Sequence, residues 1–425
     1  MTDLHFSDKS TAEIHQLEKL NQILGIAVQA PFYKRLYHGI ELPLKSLDDL
    51  KQLPVIDKQT LCTEGETCKK SLYTRTTGGF YKFSTGGTSG RMSFARYGLN
   101  EFQEVCNGSA YGLMACGITP GDLVANCIRA GAFWTGFLTS YRALEMIGCN
   151  ILPITDNQPV EKTIEYLKIM GPNTIFGISP TLVQIAQEAS RRGINLGIEK
   201  VAFASTPLTT EQESYLSSVW PNATFHSAGY GAAEVGPIGF QCEYCSGTEH
   251  HILQPHCIVE KGDGGEVIAT SLIRSLQPAI RMNVGDNIEW MDGECECGRK
   301  SPRFRLLQRS DEIIEFQYDS MTLDQLGSCL GKFTELAPVF QVRLDLNGDE
   351  TDIIIRVEAA DSDAVDDYEL SSKVYECLKG EIPAVGINRR KNNIRAFKIL
   401  VVPSGGIPRV QTTGKIRRVI DKRFM

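Results

Sequence analysis

The chain has 425 residues, 42% of them hydrophobic and 22% charged, the balance of a globular protein long enough for two domains or more. A net charge of −7 gives no electrostatic basis for binding nucleic acid or an anionic membrane. Residues 1–10 carry two Asp and no apolar core, and no apolar run reaches membrane-spanning length. Thirteen cysteines without an export signal point to reduced thiols and a cytoplasmic protein.

In chain order, Ile14, Leu17, Leu20, Ile23 and Leu24 have helical spacing and predict a helix over 10–24. The run Ser84-Thr85-Gly86-Gly87-Thr88-Ser89-Gly90-Arg91 follows. It places several backbone N–H donors on a turn with little side-chain bulk, which is what a phosphate needs. An ordinary surface turn can be written in the same residues. The Lys-Ser/Thr ending of a Walker A loop and the G-x-G-x-x-G fingerprint of a dinucleotide fold are both absent.

From 122 to 230 the pattern alternates. Strands are expected at 123–128, 150–154, 174–178, 201–204 and 224–228, with helices at Thr135–Ile147, Val160–Met170, 181–192 and Thr210–Val219. Short β and longer α segments in alternation predict a largely parallel, doubly wound sheet, whose ligands bind at the carboxyl ends of the strands. Tyr230-Gly231 lies just past one such end. Beyond about 310 the chain changes character. Residues 339–346 and 353–358 flank Asn347-Gly348-Asp349 as a hairpin, 362–380 reads as a helix and 397–402 as a strand. The expected class is α/β: a large N-terminal α/β domain with doubly wound sheets over 1–310, and a small mobile α+β domain over 311–425.

Four further segments bear on chemistry. They are Tyr230-Gly231-Ala232-Ala233-Glu234, Ile280-Arg281-Met282-Asn283-Val284-Gly285-Asp286, Arg309-Ser310-Asp311-Glu312 and Pro408-Arg409-Val410-Gln411-Thr412-Thr413-Gly414-Lys415-Ile416-Arg417. With the Gly-rich run, and in this order over about 330 residues, they resemble the motifs of the adenylate-forming superfamily of acyl-CoA synthetases, adenylation domains and luciferases. Ala30-Pro31-Phe32-Tyr33, Leu47-Asp48-Asp49-Leu50 and Leu53-Pro54 with Lys58 resemble the phenylacetate–CoA ligase branch, so the likeness spans nearly the whole chain.

The resemblance implies roles position by position. Ser84 and Thr85 to Gly90 hold the β- and γ-phosphates of ATP. Tyr230, beside Gly231, stacks on adenine. Glu234 binds Mg²⁺, an ion that usually takes one or two carboxylates plus substrate phosphates. Asp286 accepts the ribose hydroxyls, and Arg309 assists at ribose or phosphate. Lys415 bridges the carboxylate and the α-phosphate, stabilising charge as the acyl-AMP forms. Asp311 is the hinge of the C-terminal domain. Phe133-Trp134 and Ala228-Gly229 border the acyl pocket, whose aromatic lining suits an aromatic acid.

Cys242-x-x-Cys245, His250-His251 and Cys295-x-Cys297 have the short spacings of metal ligands. The same branch includes members with a structural zinc, and its pattern selects Cys242, His251, Cys295 and Cys297, with Cys245 as an alternative. The expected role is a clip between the Tyr230 and Asp286 segments.

The pattern departs from the family at two points. Gln308 stands where a glycine is usual, and counting from Asp311 a later family glycine falls on Tyr318, in the region that lines the pantetheine tunnel of CoA-using members. The expectation is therefore activation of a carboxylic acid, aromatic by its pocket, through acyl-AMP with release of pyrophosphate. Transfer to CoA leads, and transfer to a carrier-protein thiol or an amine is the alternative. A non-catalytic nucleotide-binding relative is a further alternative, against which the joint presence of Lys415, Glu234 and Asp286 argues. A homodimer is left open.

Overall fold

The computed structural model describes residues 3–67, 70–84, 94–307, 313–316, 319–348, 350–361, 364–365, 367–386 and 389–423. The chain resolves into two compact units, each assembled from separated stretches. One comprises Met1–Asp122, Ala130–Ile151 and His226–Leu307, and the other Leu123–Arg129, Leu152–Phe225 and Gln308–Met425. The C-terminal stretch groups with the parallel-strand segments.

The first unit is built on a seven-stranded sheet. Its spatial order is Cys257–Lys261, Glu266–Ser271, Met282–Met291, Arg303–Leu306, Glu249–Ile252, Gly236–Phe240 and Tyr230–Ala232. The neighbours pair antiparallel, so this sheet is not doubly wound. Helix Lys9–Ala27 packs against the same core through Leu20, Ile23, Leu24 and Ala27. Ile14, which the spacing assigned to the apolar face, is 62% exposed. The buried stripe runs through Ala12, Gln16, Leu20 and Ile23, and Ile14 lies about 200° around the helix from Ala12. Helix Leu99–Ala115 and the hairpin Phe80–Ser84/Phe94–Gly98 enclose a smaller core of Phe83, Tyr97, Phe102 and Val105.

In the second unit, strands Leu123–Asn126, Thr174–Gly177 and Lys200–Phe203 pair in parallel, as the alternation predicts, and form the centre of a five-stranded sheet. Helix Ser179–Arg191 covers them with Leu182, Val183, Ile185, Ala186 and Ala189. Each larger aliphatic contributes about 1.5–3 kcal/mol by leaving water. Thr209 caps the helix Thr210–Val219 reciprocally with Gln212.

The C-terminal stretch forms a four-stranded sheet of order Ile394–Val402, Glu350–Ala359, Leu336–Asn347 and Val419–Asp421. Its two long central strands are the expected hairpin. The helix read over 362–380 begins later, at Tyr368–Glu381, because the Asp367 carboxylate accepts the Leu370 N–H at 3.0 Å and sets the cap. Among the described residues, no helix is long and apolar enough to cross a membrane.

Candidate active site and metal centre

Tyr230–Ala232 is the edge strand of the seven-stranded sheet, and Asp286 lies four strands away in spatial order. In a flat sheet that separation would be about 19 Å. Instead the Tyr230 hydroxyl donates to Asp286 Oδ2 at 2.9 Å, so the sheet curls enough to close the gap. The Tyr230 ring also meets Phe304 edge-on at 5.8 Å and His250 at 6.1 Å. Burial lowers the His250 pKa to about 4, which leaves a neutral imidazole beside the tyrosine. Gly231 admits no side chain, because a Cβ there would meet Gly236 O at 2.6 Å across the hairpin.

Glu234 occupies the turn between Tyr230–Ala232 and Gly236–Phe240 and is 9% exposed. Its backbone is held by residues that no sequence pattern marks. Arg274, fully buried, donates to Glu234 O at 3.0 Å and to Arg96 O at 2.7 Å. Its guanidinium lies 3.5 Å over the Tyr97 ring, and the Tyr97 hydroxyl donates to Ala233 O at 2.6 Å. Burial raises the Tyr97 pKa, so the phenol stays a donor. Glu101 faces Arg274 Nε at 3.8 Å and accepts from Gly98 N, Ser275 N, Ser275 Oγ and Leu276 N.

Ser84 is buried, and its N–H donates to Phe133 O at 2.9 Å. The first residue of the Gly-rich run thus touches the aromatic segment. Ala132 and Phe133 both have positive φ, 51° and 59°, and Phe133 is 61% exposed. Consecutive non-glycine residues in this region are strained, and such strain clusters at ligand sites. Trp134 is half-buried at the start of helix Thr135–Ile147, with its ring across Gly136. Ala228 and Gly229 are half-buried just before Tyr230, and Gly229 N–H donates to Ser227 Oγ at 3.2 Å. Thr85, Gly86, Gly87, Thr88, Ser89, Gly90, Arg309, Asp311 and Tyr318 lie outside the described residues. Lys415 belongs to the second unit, half-buried at the end of a tight turn.

The cysteine and histidine positions converge in the first unit. The ligand atoms of Cys242, His251, Cys295 and Cys297 all lie within 4.8 Å of one another. Cys242 Sγ is 3.6 Å from Cys295 Sγ, and Cys297 Sγ is 3.5 Å from His251 Nε2. Four ligands around a tetrahedral zinc are separated by about 3.4–3.8 Å. His251 Nδ1 is 3.2 Å from Ser301 Oγ and 3.3 Å from Ser301 O, which leaves Nε2 to face the cluster. Cys245 Sγ approaches Cys242 at 3.5 Å but is not one of the four converging atoms. Burial raises the Cys295 thiol to about 11.

No family model matches the chain. It is 24% identical to the phenylacetate–coenzyme A ligase of Thermus thermophilus, over 96% of each chain. It is 23% identical to the indoleacetate–lysine synthetase of Pseudomonas savastanoi, over 87% of this chain and 90% of that protein. Among solved structures, 2-hydroxyisobutyryl-CoA ligase in the postadenylation state, in complex with R3-HIB-AMP, superposes with a TM-score of 0.80 at 21% identity, covering 99% of this chain and 91% of that one. Similarity along nearly the whole length, on a shared fold, makes this chain a homologue of the phenylacetate–coenzyme A ligases.

Proposed function

We propose that the protein activates a carboxylic acid with ATP, releases pyrophosphate, and transfers the acyl group from acyl-AMP to the thiol of CoA. The observation that carries this reading is the Tyr230–Asp286 hydrogen bond next to the Glu234 turn, in a chain homologous to acid–CoA ligases along its length. Tyr230 offers a ring face to adenine, and Asp286 carboxylate oxygens to the ribose hydroxyls. Glu234 would hold Mg²⁺, which supplies charge neutralisation at the phosphates. Residues 85–90 and Arg309 would bind phosphate oxygens. Lys415 brings a mobile point charge to the developing negative charge on the carboxylate and α-phosphate oxygens. The exposed Phe133, with Trp134 and Ala228-Gly229, favours an aromatic acid. Residues 311–425 would act as a lid turning at Asp311.

Cys242, His251, Cys295 and Cys297 fit a zinc ion by donor set and spacing, with a structural role because the protein fills all four positions. The second reading replaces CoA by an amine. The relationship to a lysine synthetase favours it, and so does a tyrosine at 318 where a glycine is usual.

The test is acid-dependent ATP–pyrophosphate exchange over a panel of aryl and aliphatic acids, followed by CoA or lysine added to the active mixture. Exchange with an aryl acid and a thioester product are expected. An amide product would select the second reading. ATP binding without exchange for any acid would refute activation and indicate a nucleotide-binding relative.

A further inference from the structure

The turn that carries Lys415 is closed on itself. Val410 N–H donates to Lys415 O at 2.7 Å, Gly414 N–H donates to Val410 O at 2.8 Å, and Arg409 bridges Ile416 antiparallel. Thr413 and Gly414 are buried, although they sit at the tip of a loop. What covers them belongs to the same unit. A Cβ on Gly414 would fall 2.8 Å from Asp156 Oδ2, 3.1 Å from Ile178 Cδ1 and 3.3 Å from Arg129 Nε, at φ +72°. Only glycine fits a backbone pressed this closely onto an ion pair.

The pair itself is built for the contact. Arg129 Nε donates to Asp156 Oδ1 at 2.8 Å, with the Asp156 side chain 7% exposed and that of Arg129 22%. Thr181 Oγ1 donates to Asp156 Oδ2 at 3.2 Å. Arg129 Nη1 then reaches into the turn and donates to Gln411 O at 3.2 Å. From the other side Arg409 donates to Pro180 O at 3.4 Å. Arg129 lies just beyond the carboxyl end of Leu123–Asn126, and Thr181 on the helix that follows Thr174–Gly177. Thr155, before Asp156, is pinned by its N–H to Asn126 O at 2.9 Å. The carboxyl ends of parallel strands are where such sheets bind ligands. Here they bind the protein's own lysine turn. A cavity of about 220 Å³ adjoins the contact, lined by Arg129, Asp156 and Thr181 together with Gln184, Gly405 and Arg409.

We propose that Arg129 and Asp156 are positioning residues for Lys415, seating the Gly414 turn so that the lysine is presented in a fixed place during acyl-AMP formation. The proposal rests on the activation reading above. Neither residue touches the reacting atoms; both act through the turn.

The test compares Asp156→Asn and Asp156→Ala with the wild-type chain by ATP–pyrophosphate exchange and by hydrogen-exchange mass spectrometry of the segment 405–420. Loss of the seat is expected to lower the exchange rate roughly a hundredfold, as small misplacements of a catalytic group do. The KM for ATP should stay within about twofold, because the change removes transition-state rather than ground-state interaction. Amide protection at Val410 and Gly414 should fall in both variants. On a Lys415→Ala background, Asp156→Asn should lower the rate no further, since a residue acting through Lys415 has nothing left to position. Unchanged protection over 405–420, a wild-type exchange rate, or a loss that multiplies that of Lys415→Ala would each overturn the proposal. Asp156→Asn keeps the side-chain volume and serves if Asp156→Ala does not fold. A wild-type protein without pyrophosphate exchange for any acid would refute the activation reading and the catalytic role with it, while the seating is judged by the amide protection alone.

Discussion

Arg274→Met tests the support beneath Glu234. The arginine is fully buried and the facing Glu101 side chain is 6% exposed. Methionine roughly keeps the volume but removes the donors to Arg96 O and Glu234 O and the cation over Tyr97. Each orphaned carbonyl costs about 1–3 kcal/mol, and removing one partner of a buried charge pair costs about 3–5 kcal/mol. Glu101 keeps four other donors, at Gly98, at Ser275 twice and at Leu276, which solvate its charge in part. The expected loss is therefore about 3–5 kcal/mol in total rather than the sum of these terms. Equilibrium urea unfolding followed by circular dichroism would measure it. Adding Glu101→Gln should recover at least about 1 kcal/mol, because the uncompensated charge is then gone. A loss below about 1 kcal/mol in Arg274→Met would refute the view that this pair holds the turn. So would strict additivity in the double variant.

Tyr230→Phe removes one hydrogen bond to Asp286 and should raise the KM for ATP about fivefold, the equivalent of about 1 kcal/mol, with the pyrophosphate-exchange kcat little changed. Elemental analysis of the purified protein should find about one zinc per chain. Cys295→Ser should abolish it and Cys245→Ser retain it, because Cys245 is not one of the four converging ligands. Chelation should destabilise the protein by roughly 4 kcal/mol if free zinc stands a thousandfold above its Kd. His5 is 2% exposed, and burial lowers its pKa from the ordinary 6.5 to about 3. A lowered imidazole pKa means that the unfolded chain takes up a proton the folded one refuses, so this contribution is present above pH 6.5 and is lost as pH falls from 6.5 towards 3. Between pH 7 and pH 5 the wild type should lose about 2 kcal/mol more than His5→Phe, which keeps a ring against Tyr111 and removes an Nδ1 that has no partner among the described residues. Equal losses in urea midpoints at the two pH values would contradict the assignment.

The parallel segment was legible because its signals are local. Thr135–Ile147, Val160–Met170 and Thr210–Val219 coincide with the expected helices, each carrying its apolar stripe within a few turns. The seven-stranded antiparallel sheet was not legible. Strands such as Gly236–Phe240 and Glu249–Ile252 are short and hold Gly, Pro, Glu and His where an alternating pattern would need β-branched residues. Tyr230, Glu234 and Asp286 could be named because they sit in motifs. Arg274 and Glu101 could not, because a buried charge pair 173 positions apart looks like two surface charges until the chain is folded.

One strand relates the two candidate sites of the first unit. Glu249–Ile252 pairs on one side with Gly236–Phe240 and on the other with Arg303–Leu306. Successive side chains of a strand point to opposite faces. His250 therefore stacks on Phe304 and faces Tyr230, while its neighbour His251 stacks on Phe240 and joins Cys242, Cys295 and Cys297. A metal bound at that cluster would fix the register of this strand from one face. The placement of Tyr230 depends on the same register from the other, since a slip of one residue would exchange the two histidines. Metal loss is thus expected to weaken ATP binding through the strand, without any metal ligand touching the nucleotide. If zinc-free protein that remains folded binds ATP with unchanged affinity, the cluster secures the loops of the sheet and not the register of its centre.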